Sequence, residues 1–453
     1  MRKKLILFGV LFVTIMLLGV GCKKKDEITY RTFKEITNIA EFQTVPYMET
    51  AGKIYEPGDF GNKNYLMFVD GTTLEEYQNY LKKLEEVGFK KHSDNGKEGM
   101  EGYVYTASFT KDNLTLTVAR AKFTRMTYIS ASFDLALSEH LIYKDEYVKD
   151  LDPNAKNKLH MVQMTANQGC GFIYQLKNGH FVVYDGGLSQ EAGNFMKFIT
   201  DLTPEGEKTI IEGWFISHCH NDHYGTMLSI VQNPLWNDQI RVNGFYYVEP
   251  SQTLFSKLTS QTDPTGNMIV SRAYRNFKTE DGGTPEFYRP FIGQKYYFCD
   301  IEIDITYTFE QKPLGHYRDV DFNDTSTWLM AYVDGQKILF PGDSAEDGTD
   351  QVIRLYDNNY FDLDIYMPSH HGINVYDRFT NLCTYDVLLY GSFRAGSVWD
   401  NRADLAAVPQ NNRLKAKAKE VFHHGDGSVS LTLPYEIGTA VIGDDWQDYY
   451  KPL

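Results

Sequence analysis

The stretch WFISHCHNDHYGT, Trp214 to Thr226, sets His218, His220, Asp222 and His223 within six residues. The apolar run TIIEGWFIS before it reads as a strand, and the residues after it read as a helix. Imidazoles suit zinc and other first-row metals, and carboxylates complete or bridge such sites. Residues two apart at a strand end can project in one direction, so His218 and His220 can share one ion. Asp222 and His223, entering the helix, can turn towards a second. Solvated or core histidines are the bland alternative. Four polar groups on one turn directly after an apolar strand make that a costly arrangement.

Outward from this turn, HMVQMTANQGCGFIYQLKNGHFVVYDGG (160–187) gives apolar strands broken by Asn-Gln-Gly and Lys-Asn-Gly turns, ending at Asp185 and two glycines. A helix pattern follows over 191–202. Further strands are expected at 240–248, 296–308, 327–333, 338–340, 365–367, 387–390 and 428–433, with helices between several of them. Two sheets covered outside by helices fit this order.

The rest of the chain has a different character. With 453 residues it exceeds what one core usually supports, so two domains are expected. Residues 1–22 read as a targeting segment: Arg2, Lys3 and Lys4 precede the apolar run Leu5 to Leu18, and LLGVGC ends at Cys22. That end resembles the lipobox of bacterial lipoproteins, which implies lipidation of Cys22 and an extracytoplasmic, membrane-anchored protein. Gly19 stands where leucine is usual. The apolar run is shorter than the ~20 residues that span a bilayer comfortably. Lys23, Lys24 and Lys25 would face anionic headgroups.

Residues 26–140 form a small α+β domain. TTLEEYQNYLKKLEEVGF spaces Tyr77, Tyr80, Leu81, Leu84 and Val87 along one helix face, with Thr72 or Thr73 to cap it and Gly88 to end it. Strands follow around 102–109, 114–119 and 126–133. No cluster of titratable residues appears there, and a packing or substrate-positioning module is the expectation. Residues 141–157, charged and without apolar periodicity, read as a linker, and 158–453 as the metal-bearing domain.

A net charge of −15 without a long basic tract beyond the N-terminus weighs against long nucleic acid as a partner. Cys170, Cys219, Cys299 and Cys383 are scattered, so neither a disulfide scaffold nor a thiolate zinc site is indicated, though one or two disulfides could form. His423 and His424 in EVFHHGDGSVSL read as surface histidines, and 413–420 as a solvated helix face.

HCHNDH resembles the H-x-H-x-D-H signature of the metallo-β-lactamase-fold hydrolases. VVYDGG, KILFPGDS and IYMPSHHG are similar to that family's later landmarks and occur in its order, over roughly residues 159–443. The resemblance implies an αββα sandwich with two divalent ions at one edge, zinc first, manganese or iron as alternatives. It implies His218, His220, Asp222, His223, Asp343 and His371 as ligands, with Asp343 bridging. Asp185 would orient a ligand histidine, and His370 would bind substrate oxygen or protonate a leaving group. Asp222 belongs to both the ligand and the catalytic set. Spacing alone leaves the roles of His370 and His371 exchangeable.

The family's third histidine is missing: DFNDTS puts Asn323 and Ser326 in its place, and His316 lies further upstream. In this the chain resembles the branch that includes the hydrolase domain of ComEC, and a small or cell-envelope phosphoester or phosphodiester substrate is expected. Arg394 in GSFRAG could clamp a phosphate. A lactamase or lactonase, and a non-enzymatic surface binding protein, are the alternatives.

Overall fold

The computed structural model describes residues 32–33, 40–61, 64–96, 102–166, 168–250, 270, 272–309, 322–373, 375–392 and 407–443. Cys22, His316 and Arg394 lie outside these residues. Among them, no helix is long and apolar enough to cross a membrane.

The mixed α/β architecture is a sandwich of two sheets with a third sheet packed against it. In the first sheet, Phe181–Asp185, Thr209–Ile216, Gly244–Tyr247 and Glu286–Tyr288 run parallel, and antiparallel strands complete its far side. The second begins as the antiparallel strands Lys295–Phe298, Ile301–Tyr307, Trp328–Val333 and Gln336–Phe340. It continues in parallel with Ile365–Tyr366, Val387–Tyr390 and Glu420–His423.

Alternation along the strands decides which side each residue faces. Leu329, Ala331, Ile338 and Phe340 meet Phe172, Tyr184 and Phe215 between the sheets. Ile173, Val183, Trp214 and Ile216, on the first sheet's other face, pack under the helices Ala192–Asp201 and Asn221–Gln232. The helix layers and two sheets form the expected αββα sandwich.

The third sheet orders its strands as Lys53–Gly61, Asn64–Asp70, Thr127–Phe133, Leu114–Ala121, Val104–Lys111 and Lys90–Asp94, all antiparallel. Its helix, Leu74–Glu86, starts at Thr73, whose side chain accepts from the Glu76 amide while the Glu76 carboxylate accepts from the Thr73 amide. Thr72, the other candidate cap, instead bonds the Thr127 hydroxyl and the Arg125 carbonyl. Tyr77, Tyr80, Leu81 and Leu84 bury against one face of this sheet. Leu66, Phe68, Ala119, Ala121 and Tyr128, on the opposite face, join one core with Trp328, Met330, Leu339 and Tyr366 of the sandwich.

The expected linker is held at its two ends. Leu141 is buried in the inter-sheet core, and Asn157 is buried and donates to Asp300 at 2.9 Å. The helix Ala407–Lys417 ends before Glu420, which begins a strand. Cys170, Cys219, Cys299 and Cys383 are all buried and all free, so no disulfide joins them.

Candidate metal centre

The C-terminal ends of Phe181–Asp185 and Thr209–Ile216 lie side by side, so Asp185 reaches the start of the histidine turn. Asp185 is fully buried with φ of 58°, a left-handed conformation that few residues other than glycine, asparagine and aspartate adopt readily. Its Oδ1 accepts from the Ser217 amide at 2.7 Å and its Oδ2 from the Ser217 hydroxyl at 2.8 Å. His223 Nδ1 lies 2.7 Å from the same Oδ2. A proton on that Nδ1 leaves the Nε2 lone pair facing inward, which is how a carboxylate fixes the tautomer of a metal-binding histidine.

Asp343, delivered by the turn after Gln336–Phe340, is the meeting point. Its Oδ2 stands 3.1 Å from His223 Nε2, 3.2 Å from His371 Nε2, 3.9 Å from His370 Nε2 and 4.0 Å from His218 Nε2. His218 Nε2 and His220 Nδ1 are 3.0 Å apart. Asp222 Oδ2 lies 3.1 Å from His371 Nε2 and accepts from the Gln168 amide at 3.0 Å. The turn Ser369–Gly372 holds His370 and His371 at φ of 51° and 54°. Two successive left-handed side chains cost on the order of 1–3 kcal/mol each, and such strain gathers at functional sites. The turn buries His371 and leaves the His370 side chain 18% exposed.

Burial alone would raise the Asp343 carboxyl, but His223 and His371 outweigh it and hold it well below the carboxylate range. Burial alone would lower His223 and His371, and the carboxylates, Asp343 foremost, hold both well above the usual imidazole value. His218 is pushed far down by burial and by the neighbouring His223 and His220.

Two groups of donors fit metal ions. His218, His220 and Asp343 offer ligand atoms within 4.8 Å of one another, and so do His223, His371, Asp343 and Cys170. Asp343 belongs to both. His223 Nε2 and Asp343 Oδ1 are buried without a hydrogen-bond partner. Orphaned polar atoms are expensive in a protein interior, and a cation between them removes that cost.

Ser326 lies against this first group: its hydroxyl accepts from the Asp343 amide at 3.0 Å and stands 3.3 Å from His218 Nδ1. Asn323 is buried in the short turn Phe322–Thr325 just before it. The Cys219 thiol, between the histidines in sequence, contacts Tyr247, and burial pushes it up to about 12.

His423 and His424, expected at the surface, are both buried, and His424 Nε2 lies 3.1 Å from the Ala166 carbonyl, on the loop that carries Gln168. Ser217, Gln168 and Cys170 also touch the candidate ligand side chains. Only the fold brings Gln168 and Cys170 to the turn, and no spacing signals them.

No family model and no curated protein matches the chain. Several solved structures that overlap it are described as metallo-β-lactamases or as hydrolases of that superfamily. A Cronobacter sakazakii metallo-β-lactamase with a HARLDQ motif is 16% identical with a TM-score of 0.25, and the match covers 40% of this chain and 59% of that one, under two thirds of its length. A metal-dependent hydrolase of the β-lactamase superfamily is 11% identical with a TM-score of 0.32, covering 59% of this chain and 95% of that one. A Thermotoga maritima protein described as a Zn-dependent hydrolase of the superfamily is 10% identical with a TM-score of 0.26, covering 58% and 98%. At such TM-scores the likeness carries no weight on function.

Proposed function

We propose that the chain is a metal-dependent hydrolase acting on phosphoester or phosphodiester bonds. The observation that carries this is the position of Asp343 Oδ2 between His218 on one side and His223 and His371 on the other. When bound, two divalent cations sharing that carboxylate would supply the Lewis acidity that makes water a nucleophile at neutral pH. His218, His220 and Asp343 would hold one ion, and His223, His371, Asp222 and Asp343 the other. Asp185 keeps the His223 lone pair aimed inward. His370, partly exposed beside Asp343, is placed to bind a substrate oxygen or give a proton to the leaving oxygen.

Two features favour phosphorus chemistry. Two groups of donors that share Asp343 would hold a pair of cations, which would supply charge for both the attacking and the leaving oxygen of an in-line displacement. The place of a third histidine holds the buried Asn323 and Ser326, which leaves the first group with fewer nitrogen donors. The charge of −15 suits a small or envelope-borne substrate better than duplex DNA. A lipid on Cys22 would place the enzyme on the outer face of the cell membrane.

The test is metal content together with turnover of bis-p-nitrophenyl phosphate, p-nitrophenyl phosphorylcholine and nitrocefin. Bound metal with hydrolysis of either phosphoester supports the proposal. Hydrolysis of nitrocefin alone makes it a lactamase, and metal without any turnover makes it a binding protein.

A further inference from the structure

His223 and His371 both point Nε2 at Asp343, yet what stands behind the two rings differs. Behind His223 is the Asp185 carboxylate. Behind His371 is a thiol: Cys170 Sγ lies 3.5 Å from His371 Nδ1, within reach of a hydrogen bond to sulfur. The other ring nitrogen, Nε2, is the one 3.1 Å from Asp222 Oδ2 and 3.2 Å from Asp343 Oδ2. The thiol therefore touches the side of the ring turned away from the carboxylates.

Direction follows from the neighbours of the sulfur. The Cys170 thiol donates to Met367 Sδ at 3.7 Å. Its proton is committed there, which leaves a sulfur lone pair for a proton on His371 Nδ1. The surroundings preserve the contact. The Cys170 amide donates to the Asp222 carbonyl at 3.3 Å and the Gly169 amide to the Gly391 carbonyl at 3.3 Å. A Cβ at Gly391 would stand 3.0 Å from His371 Nδ1 and 3.1 Å from Cys170 Sγ, so the glycine leaves room for ring and thiol to meet.

We infer that Cys170 is the positioning residue for His371: its sulfur accepts from Nδ1 and keeps the Nε2 lone pair directed at the metal. It is not itself a ligand. This rests on the metal-site reading above and adds that the two histidines of the deeper group are oriented by chemically different partners.

The experiment measures zinc and cobalt(II) affinity by competition with a chelating dye, and the absorption of the cobalt-loaded protein, in wild type, Cys170→Val, Cys170→Ala and Cys170→Ser. Removing an orienting partner typically costs 10–100-fold in metal affinity. Valine and alanine should both show a loss of roughly that size, and serine, which can still accept, should stay within about threefold of wild type. Wild type should show no thiolate-to-cobalt charge-transfer band. Wild-type affinity in folded C170V or C170A would overturn the inference, as would such a band lost in both. Should valine not fold, the alanine and serine pair decides alone. A wild-type protein that binds neither metal would instead overturn the metal-site reading itself.

Discussion

The two halves of the candidate centre share the Asp343 carboxylate and the Ser217 hydroxyl and differ in most of what else surrounds them. His223, His371 and Asp222 are buried, and each has a partner that fixes its geometry: Asp185, Cys170 and Gln168 respectively. His218 is buried against the Ser217 and Ser326 hydroxyls, while His220, which it touches, is partly exposed. Donors held by a rigid surround hold an ion tightly, because little order remains to be imposed on binding. Lighter, more open donors leave coordination positions for a substrate. The deep half is therefore built for retention and the open half for exchange.

Removing what the halves share should have the largest effect. Asp343→Asn keeps the shape but takes away the charge, and it should empty both halves and lower turnover by at least about a hundredfold, since metal catalysis supplies several kcal/mol. Metal analysis beside a rate measurement reads this, and near-normal metal content would end the notion of a shared bridge. His220→Ala should abolish turnover while lowering bound metal by about half, with the fold intact by circular dichroism, because only the open half loses a ligand. Loss of all metal there would show that the halves are not separable.

His370→Ala should cut turnover by roughly a hundredfold or more, the usual size of a general-acid contribution, and cost less metal than His371→Ala. Equal metal loss would exchange their roles. Acid should then act on the halves unequally. His223 and His371 are held well above the usual imidazole value, so they carry protons that a cation must displace, and affinity there falls as pH falls. His218 is held far below it and has no proton to give up near neutrality. A titration from pH 8 to 6 should strip the deep half's ion first, seen as an early loss of the cobalt spectrum. The smallest effect belongs to Ser326→Ala, which removes one hydrogen bond to the Asp343 amide, worth about 1 kcal/mol, and should shift rate or affinity only several-fold.

The candidate ligands were legible in the sequence because chelation demands close, fixed spacing, as in His218, His220, Asp222 and His223. It hid their supports because these are set by topology: Cys170 and His371 are 201 residues apart. His423 and His424 looked like surface residues because a paired histidine has no local sign of burial, whereas His423 ends the strand Glu420–His423, a parallel neighbour of Val387–Tyr390, and His424 follows it. In the third sheet, the strands at 104–111, 114–121 and 127–133 were legible. Lys90–Asp94 was not, since an edge strand reading KKHSD buries neither face. Lys53–Gly61 contains Pro57 and two register shifts, which break its alternation.

The third sheet also dictates how the molecule can be handled. Its Leu66, Phe68 and Tyr128 cover Trp328, Met330 and Tyr366, and each large apolar side chain so covered is worth roughly 1.5–3 kcal/mol. A fragment begun at Leu159 would lay those side chains bare to water on the two strands that flank Gln336–Phe340, the strand that delivers Asp343. Such a truncated piece should be sticky and prone to precipitate, so cutting the protein down to its metal-bearing part would damage the very region meant to be isolated.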